Sequence, residues 1–442
     1  MSPQRGAGAR PRRVAEVGER ILLPWLERDD AYDLEAYLRA GGYETARTVL
    51  RTMAPADVIA AVERSGLRGK GGAGFPTGRK WAFIPKDAPV KYLVVNGDEA
   101  EPCTFKDHRL LERAPHLLLE GMVLAAFAVG IRKAYVYVRR EGYLARRRLE
   151  QAVAEAYARG FLGRGIFGTD VDLDVVVHTG AGAYIAGEET ALLESLEGRR
   201  AMPRARPPYP AVVGLYGQPT VINNVETLCH VPAILRLGPE AYARLGPPAL
   251  FSVSGHVRRP GLYELPLGTP LRELIFEHAG GLRPGRRFKA AFPGGSSSAL
   301  LTEAHLDVPL DYEPLRQVGS MLGSASQIVL DDSACIVRVI ARTVEFYMEE
   351  SCGKCTPCRE GTVWLAQVFQ RLLHGGGRLA DLDLLQHISD GMTGTCFCPL
   401  GESVPPSLNA SLRHFRHEYE YHIRTGRCDV AERLAAPRAA AS

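Results

Sequence analysis

The 442-residue chain lacks any apolar run of membrane-spanning length and has little excess charge of either sign. A helix needs about 20 apolar residues to cross a bilayer, and the best candidate, residues 117–131, is shorter and contains Glu120. The formal net charge of +4, from 54 basic and 50 acidic residues, is too small to indicate a nucleic acid as the partner. We therefore expect a protein that neither spans a membrane nor binds nucleic acid.

The N-terminal segment lacks both an apolar core and acidic residues. Residues 1–13 are rich in Arg, Gly and Pro, whereas a signal peptide requires an apolar central region. We expect residues 1–30 to form a disordered basic tail.

Cysteines are few outside one stretch, because five of the nine lie between Cys352 and Cys398. This clustering argues against a disulfide framework and for metal ligation in a reducing compartment. Cys352, Cys355 and Cys358 have CxxCxxC spacing, and Cys396 and Cys398 follow. Three close thiolates plus a distant fourth are typical of a [4Fe–4S] cluster, whereas structural zinc usually takes two separated pairs. Spacing favours the cluster, leaves zinc as the alternative, and does not decide between Cys396 and Cys398.

A glycine-rich segment, residues 67–81, contains five glycines and the cations Arg68, Lys70, Arg79 and Lys80. Glycines let backbone N–H groups approach an anion closely, so phosphate binding is one interpretation. A flexible surface loop is the other, since the segment fits neither the Walker A pattern nor a clean Rossmann fingerprint.

Strands alternate with helices in the first half of the chain. The apolar runs 91–96, 134–138 and 173–178 are predicted strands, each followed by a helical pattern, which indicates a largely parallel sheet. Acidic residues follow the first strand, and such strand ends often bind ligands, although a solvated loop fits equally well. Asn223 and Asn224 could bind a heterocycle or cap the next helix.

The sequence pattern changes twice in the second half of the chain. Short strands around a single predicted helix, residues 271–279, indicate a small α+β module over residues 246–330 with a structural or docking role. From residue 331 the pattern is helical, and Asp332 or Ser333 is the expected cap of a helix ending near Glu350. Four helices predict a bundle over residues 331–442, with the cysteines in loops at one end.

Five motifs occur in the order found in the flavoprotein subunit of respiratory NADH:quinone oxidoreductase (complex I). They are LRGKGGAGFPTGRKW, NGDEAEPCTFKD, GAYIAGEETALLESLEG, PTVINNVET and ESCGKCTPCREG with FCPLG. The chain resembles that family from about Tyr32 to Tyr421. The resemblance implies a Rossmann-like α/β FMN-binding domain (residues 31–245), a ubiquitin-like β-grasp α+β domain (246–330), and a C-terminal four-helix bundle (331–442) carrying a [4Fe–4S] cluster.

The resemblance also implies which residues bind the cofactors. FMN and NADH would contact residues of the glycine-rich loop, the strand ends and the Glu-Glu turn: Gly69, Lys70, Gly71, Gly72, Ala73, Gly74, Phe75, Lys80, Asn96, Asp98, Glu99, Glu101, Tyr184, Gly187, Glu188, Glu189, Arg206, Tyr209, Asn223 and Asn224. Phe75 would stack on the dinucleotide, and Lys80, Glu101 and Glu189 would give electrostatic support without acid–base catalysis. The cluster ligands would be Cys352, Cys355, Cys358 and Cys398. Cys396 would then be a spare thiol, and we expect Cys103 to be buried and inert.

The expected activity is NADH oxidation, with electrons passing towards partner subunits and quinone. The resemblance implies two partners, a thioredoxin-like [2Fe–2S] subunit and a large iron–sulfur subunit, in a complex on the inner face of the cytoplasmic membrane. The diaphorase subunits of NAD-reducing hydrogenases and NAD-dependent formate dehydrogenases are closely similar. Several of those carry fused ferredoxin-like segments that this sequence lacks, which favours complex I.

Overall fold

A computed structural model describes residues 20–435 of the chain. In this part, a parallel sheet with flanking helices, a smaller mixed sheet and a helical bundle follow one another along the sequence. None of the described helices combines the length and the apolar character that crossing a membrane requires.

A group of helices precedes the first strand: α1 (Leu23–Leu26), α2 (Leu34–Arg39), α3 (Glu44–Thr52), α4 (Pro55–Arg64) and α5 (Thr77–Ala82). The expected disordered tail lies outside the described residues as far as residue 19. Residues 20–30 are instead held in place, because Ile21, Leu22 and Leu23 donate their backbone N–H groups to the Glu264 carboxylate at 2.7–3.0 Å. Ile21 and Leu22 are buried, which explains why this stretch is ordered.

The first sheet consists of the parallel strands β1 (Tyr92–Gly97), β2 (Lys133–Val138), β3 (Asp174–Thr179) and β4 (Thr220–Asn224). Their order is β3-β2-β1-β4, so the chain reverses direction across the sheet between β1 and β4. In open parallel sheets, ligands bind at the carboxyl ends of the strands beside such a reversal. The topology therefore predicts a ligand site at the carboxyl ends of β1 and β4, where Asn96 pairs with Asn224.

Helices cover this sheet: α6 (Asp107–Arg113), α7 (Pro115–Val129), α8 (Tyr143–Ala158), α9 (Glu189–Leu196), α10 (Val225–Cys229), α11 (Val231–Leu237) and α12 (Pro239–Arg244). Helix α7 is apolar on all sides and almost wholly buried, because α3, α4, α8, α10 and α11 surround it. Its single carboxylate, Glu120, accepts hydrogen bonds from Tyr37 and from the backbone of Tyr43 and Ala46.

The second sheet is mixed and has its own apolar core. It contains β5 (Pro248–Gly255), β6 (Gly261–Pro266), β7 (Phe288–Phe292) and β8 (Ser326–Asp331) in the order β6-β5-β8-β7, with β5 and β8 parallel and the outer pairs antiparallel. Helices α13 (Leu271–Glu273) and α14 (Tyr312–Gln317) flank it. The predicted helix 271–279 is only one α-helical turn, which continues as a π-helical turn over Leu274–His278.

The C-terminal helices are α15 (Ile336–Glu350), α16 (Thr356–Leu373), α17 (Ala380–Met392), α18 (Pro399–Glu402), α19 (Val404–Thr425) and α20 (Asp429–Ala435). The long helices α15, α16, α17 and α19 pack on one another as a bundle, and the predicted apolar stripe of α15, including Ile340, Val344 and Tyr347, lies in its core. The cap of α15 is Cys335 rather than Asp332 or Ser333. The observed elements confirm the predicted α/β sheet, α+β module and helical bundle, while the exact limits of these domains stay predictions.

Candidate functional site

The glycine-rich loop between α4 and α5 is a fixed turn. Gly69 donates its N–H to the Phe75 carbonyl at 2.9 Å, and Thr77 donates to the Leu67 carbonyl at 2.9 Å, so the two ends of the loop are tied together. Gly74 has a φ of +62°, and a Cβ there would lie 2.2 Å from the ring of Tyr312. Glycine is therefore required at this position, and the loop has a defined conformation in the structure, while phosphate binding stays a prediction.

This loop lies over the carboxyl end of β4. A Cβ added to Gly71 would lie 3.2 Å from the Cβ of Asn224, and the backbone N–H of Lys70 donates to Thr227 at 2.9 Å. Gly71 and Ala73 are exposed to solvent, and Gly72 is partly exposed. The loop therefore presents its backbone at the crevice where the strand order reverses.

Lys70 does not add its charge to the exposed face of the loop. Its side chain is buried, and its ammonium donates to the Pro248 carbonyl at 2.8 Å in the second sheet. Burial lowers the pKa of Lys70 to about 8. The prediction that the Lys70 cation faces a phosphate is therefore wrong in this structure, and the side chain instead joins the loop to β5.

The two asparagines of β4 have different partners. Asn223 accepts a hydrogen bond from the Trp81 indole at 2.8 Å, whereas Asn224 caps α10 by accepting from Thr227 at 3.3 Å and donates to Asp107 at 2.7 Å. The capping interpretation is thus correct for Asn224. Across the sheet, Asn96 donates to the Gly187 carbonyl at 2.8 Å and so fixes the Glu-Glu turn against the end of β1.

Asp98 has a buried carboxylate without a hydrogen-bond partner among the described residues. Both of its oxygens are unpaired, and burial raises the pKa of Asp98 to about 7. An unpaired buried carboxylate costs on the order of 1–3 kcal/mol or more, so its position beside the crevice indicates a ligand with hydroxyl or N–H donors. The ribityl hydroxyls and the ring N–H of FMN are such donors. The unpaired Asp98 carboxylate and the exposed backbone of the glycine-rich loop therefore fit this cofactor.

The other acids of the 98–101 turn are already satisfied by the protein. Glu99 accepts the backbone N–H groups of Lys106, Asp107 and His108 at 2.8–3.0 Å, which begin α6. Its carboxylate is thus a helix cap, and the structure does not bring it to the crevice. Cys103, expected to be buried, is exposed, because it occupies a turn with a φ of +67°.

Glu101 contacts the second module, which the sequence did not indicate. Its carboxylate accepts hydrogen bonds from the Tyr184 hydroxyl at 2.7 Å, the Ser296 hydroxyl at 3.1 Å and the Ser297 backbone at 3.0 Å. A Cβ on Gly295 would lie 2.5 Å from a Glu101 oxygen. The α+β module therefore positions this acid.

A second cluster contains Lys80, Glu189 and Arg206. Glu189 forms ion pairs with both cations at 3.0 Å; although burial disfavours its charged form, the two cations together lower the pKa of Glu189. Glu188, the preceding residue, accepts the N–H groups of Thr190 and Ala191 and caps α9. Its other oxygen lies 3.4 Å from Arg206, so both acids of the pair have protein partners, and their contacts with a ligand stay predictions.

Two aromatic side chains of the predicted cofactor site, Phe75 and Tyr209, are exposed to solvent. Phe75 is 43% and Tyr209 is 58% exposed, and the family resemblance implies that both contact the cofactors. Exposed rings offer flat surfaces on which a nicotinamide or adenine ring can stack. The exposure of Phe75 fits its predicted stacking role, and that role and the expected contact of Tyr209 with the nucleotide both stay predictions.

The cysteines lie at the end of α15 that is remote from Cys335. Cys352 and Cys355 are in the loop after α15, Cys358 lies in the first turn of α16, and Cys398 precedes α18. These four thiols line one small cavity, together with Ile185, Pro203, Ser351, Lys354, Phe397 and Leu400. Cys396 is not among the residues that line it, although its thiol is a close neighbour of Cys355 and Cys358 and packs against Gly401, where an added Cβ would lie 2.5 Å from its sulfur.

The donor set of this cavity fits an iron–sulfur cluster. Burial raises the pKa of Cys358 and Cys398 to about 11, so without a metal these thiols stay protonated at neutral pH. Four convergent sulfurs with no carboxylate or imidazole in the wall are typical of a [4Fe–4S] site or a Cys₄ zinc site. The cavity alone does not separate these two.

A short turn joins the crevice to the cysteine cavity. Residues Tyr184–Gly187 form a 3₁₀ turn in which Ile185 lines the cavity and Gly187 accepts the hydrogen bond from Asn96 at the end of β1. Two residues span at most about 7 Å. The two candidate cofactor sites are therefore close neighbours.

Family models match three consecutive regions of the chain. The Nuo51 FMN-binding domain matches residues 62–233, an SLBB domain matches residues 250–299, and the NADH-ubiquinone oxidoreductase-F iron–sulfur binding region matches residues 338–422. The matches follow the order of the parallel sheet, the mixed sheet and the helical bundle.

Curated relatives are similar over nearly the whole chain. The second F subunit of NADH-quinone oxidoreductase from Rhizobium meliloti is 51% identical, over 93% of this chain and 99% of the relative. The F subunit from Streptomyces coelicolor is 52% identical over 92% and 93%, and that from Mycobacterium tuberculosis H37Rv is 54% identical over 88% and 89%. Among solved structures, a chain of an NAD⁺-reducing [NiFe]-hydrogenase superposes with a TM-score of 0.80 at 35% identity, over 96% of this chain and 71% of that one.

Proposed function

The chain belongs to the family of NADH-quinone oxidoreductase F subunits, and on that basis we propose that it oxidises NADH as the flavoprotein subunit of such an enzyme, with FMN and a [4Fe–4S] cluster as cofactors. The Tyr184–Gly187 turn is the single observation that carries this proposal most directly, because it connects the flavin crevice with the cysteine cavity. An enzyme that passes electrons from one cofactor to the other requires such proximity.

The bound flavin supplies a ring that accepts a hydride and gives up its electrons singly, and the cluster supplies a one-electron carrier. The residues of this chain position these groups. The exposed backbone of Gly71–Ala73 would hold the FMN phosphate, and Asp98 would accept hydrogen bonds from the flavin. Cys352, Cys355, Cys358 and Cys398 hold the cluster. Lys80 provides positive charge beside the crevice, and no side chain acts as a general base.

The NADH side of the site is formed by Phe75, Glu101, Glu189, Arg206 and Tyr209. The two aromatic rings stack on the dinucleotide, and Glu189 accepts hydrogen bonds from a ribose. A carboxylate in this position repels the 2′-phosphate of NADPH, so we assign NADH as the preferred substrate. Lys80 and Arg206 hold Glu189 ionised and correctly oriented.

The experiment that tests this function is anaerobic reduction of the reconstituted chain. We expect NADH to bleach the flavin band and to generate the reduced-cluster EPR signal, whereas NADPH reacts slowly.

Glu189→Gln removes the repelling charge, and the kcat/KM ratio of NADH to NADPH should fall by about tenfold or more, which corresponds to ~1.4 kcal/mol. Glu194→Gln on the same helix is the matched control, because Glu194 pairs with Arg199 and Arg204 instead. An unreactive flavin, or equal ratios in all three proteins, would refute the assignment.

Replacement of Asp98 by Asn should stabilise the FMN-free protein and weaken its binding of FMN. Without flavin, the raised pKa means that the folded state holds a proton that the unfolded state has released, so stability falls as pH rises from about 4 to about 7 and stays low above that. Asp98→Asn should remove this fall and stabilise the apoprotein by on the order of 2 kcal/mol near pH 8.

The same Asp98→Asn variant should retain FMN less well, because an amide presents only one acceptor oxygen to the flavin. Urea unfolding of the apoprotein at several pH values and fluorescence titration with FMN measure the two effects. If apo stability rises while FMN affinity stays unchanged, Asp98 is a buried structural acid and does not contact the cofactor.

Partners and location follow from the family as further parts of this proposal. We assign a thioredoxin-like [2Fe–2S] subunit and a large iron–sulfur subunit as the neighbours, at the inner face of the cytoplasmic membrane, with quinone as the final acceptor. The structural similarity to NAD⁺-reducing hydrogenase favours one second candidate, a diaphorase subunit of a hydrogenase or formate dehydrogenase. Curated F-subunit relatives at 51–54% identity make the first assignment the stronger one.

A further inference from the structure

A second group of metal-ligand side chains lies at the other end of the helical bundle. Cys335 precedes α15, His422 lies in the last turn of α19, and Cys428 precedes α20. The 15 residues of α15 separate this group from the cluster cysteines, a distance of about 22 Å at 1.5 Å per residue. The group is therefore distinct from the cavity described above.

The three ligand atoms converge on one point. The sulfurs of Cys335 and Cys428 and a ring nitrogen of His422 all lie within 4.8 Å of one another, and the Cys335 sulfur is 3.3 Å from Nε2 of His422. Tetrahedral Zn²⁺ with bonds of about 2.3 Å to sulfur and 2.0 Å to nitrogen separates its ligand atoms by about 3.5–3.8 Å. Small side-chain adjustments are sufficient to reach that geometry.

Burial and charge also suit a zinc ion. Cys335, His422 and Cys428 are 8%, 2% and 9% exposed, and two thiolates with a neutral imidazole balance the charge of Zn²⁺. A neutral complex can be buried, whereas an unbalanced cation cannot. Glu418 is close by, but its carboxylate already has protein partners, because it forms an ion pair with Lys289 and accepts the N–H of Ile336.

We propose that Cys335, His422 and Cys428 bind one Zn²⁺ ion that fastens α20 to the helical bundle. The two thiols lie outside residues 338–422, the region matched by the iron–sulfur family model, whereas His422 is its last residue. Its ligands come from the start of α15, the end of α19 and the start of α20. The ion thus connects the start of the first bundle helix, α15, with the segment between α19 and α20, and limits the movement of α20.

The test uses the full-length protein purified anaerobically with its iron–sulfur cluster. We expect about one zinc per chain by mass spectrometry of the metals, and X-ray absorption at the zinc edge should show two sulfur and two nitrogen or oxygen ligands. Cys335→Ser and His422→Gln should each weaken zinc binding by more than about 100-fold, because the loss of even a group that only supports a metal ligand costs 10–100-fold. Iron content and the cluster spectrum should stay unchanged.

Cys229→Ser is the matched control, since Cys229 is also a buried free thiol but lies under the first sheet. The proposal is wrong if the wild-type protein holds no zinc after incubation with an equimolar amount, or if Cys229→Ser loses zinc to the same extent. A zinc edge that shows four sulfur ligands would place the ion in the cysteine cavity and also overturn it. So would a Cys335–Cys428 disulfide in protein kept under reducing conditions. The absorption measurement needs no variant, so poor folding of one would leave the test intact.

Discussion

Replacing Cys398 by Ala is expected to remove the [4Fe–4S] cluster and leave the flavin in place. Cys398 lines the cavity with Cys352, Cys355 and Cys358, and a cluster that loses one of its four thiolates exposes an iron to solvent. The iron content should fall by at least about tenfold, given that even supporting groups around a metal contribute 10–100-fold to affinity. The reduced-cluster EPR signal should disappear, while NADH still bleaches the flavin.

Cys396→Ala is the control for this experiment, because Cys396 is two residues away and shares the same loop. Its sulfur is close to Cys355 but does not line the cavity, so with Cys398 as the fourth ligand its removal should leave iron content and the EPR signal at the wild-type level. The reverse pattern, with the cluster lost in Cys396→Ala and kept in Cys398→Ala, would mean that the loop rearranges on cluster assembly and that the fourth ligand was assigned wrongly.

The largest loss of stability should come from replacing Lys106 by Met. Lys106 is 1% exposed and forms ion pairs with Asp107 at 3.0 Å and with Glu226 at 2.8 Å. Removal of one partner from a buried pair leaves an uncompensated charge and costs about 3–5 kcal/mol. Although burial acts to raise the pKa of Glu226, Lys106 and the other partners lower it to about 2. Without Lys106, Glu226 would have to stay ionised with fewer partners or take up a proton.

Two comparisons separate this charge effect from simple loss of packing. Lys106→Met/Glu226→Gln removes both members of the pair and should recover part of the lost stability. Arg64→Met breaks the exposed pair with Glu240 and should cost no more than about 1 kcal/mol. Urea unfolding of the apoproteins gives all the values. A cost below about 1 kcal/mol for Lys106→Met would show that water reaches this site.

Local patterns in the sequence were sufficient for the fold class and for the grouping of the cysteines. The apolar runs predicted three of the four strands of the parallel sheet close to their observed limits but not β4, and the three cysteines of the CxxCxxC motif do line one cavity. These features depend on residues that are neighbours in sequence, or on motifs whose order is shared with a known family. The same is true of the cap that Asn224 forms on α10.

Contacts between distant segments could not be predicted in this way. Nothing near Lys70 indicates that its ammonium reaches Pro248, and nothing near Glu101 indicates Ser296 and Ser297 of the mixed sheet as its partners. The Cys335–His422–Cys428 group likewise joins Cys335 to a histidine that is 87 positions away. A carboxylate or thiol has the same local signature in a helix cap, an ion pair and a metal site, and only its three-dimensional neighbours distinguish them.

The hydrogen bonds from residues 21–23 to the Glu264 carboxylate affect when this part of the fold can form during synthesis. The N–H groups that begin α1 find their acceptor on β6, which the ribosome delivers about 240 residues later. At translation rates of about 5–20 residues per second, the start of the chain waits on the order of 10–50 s for it. The first helix that the structure describes can therefore be fixed only after β6 has been made, and until then its apolar residues are available to chaperones.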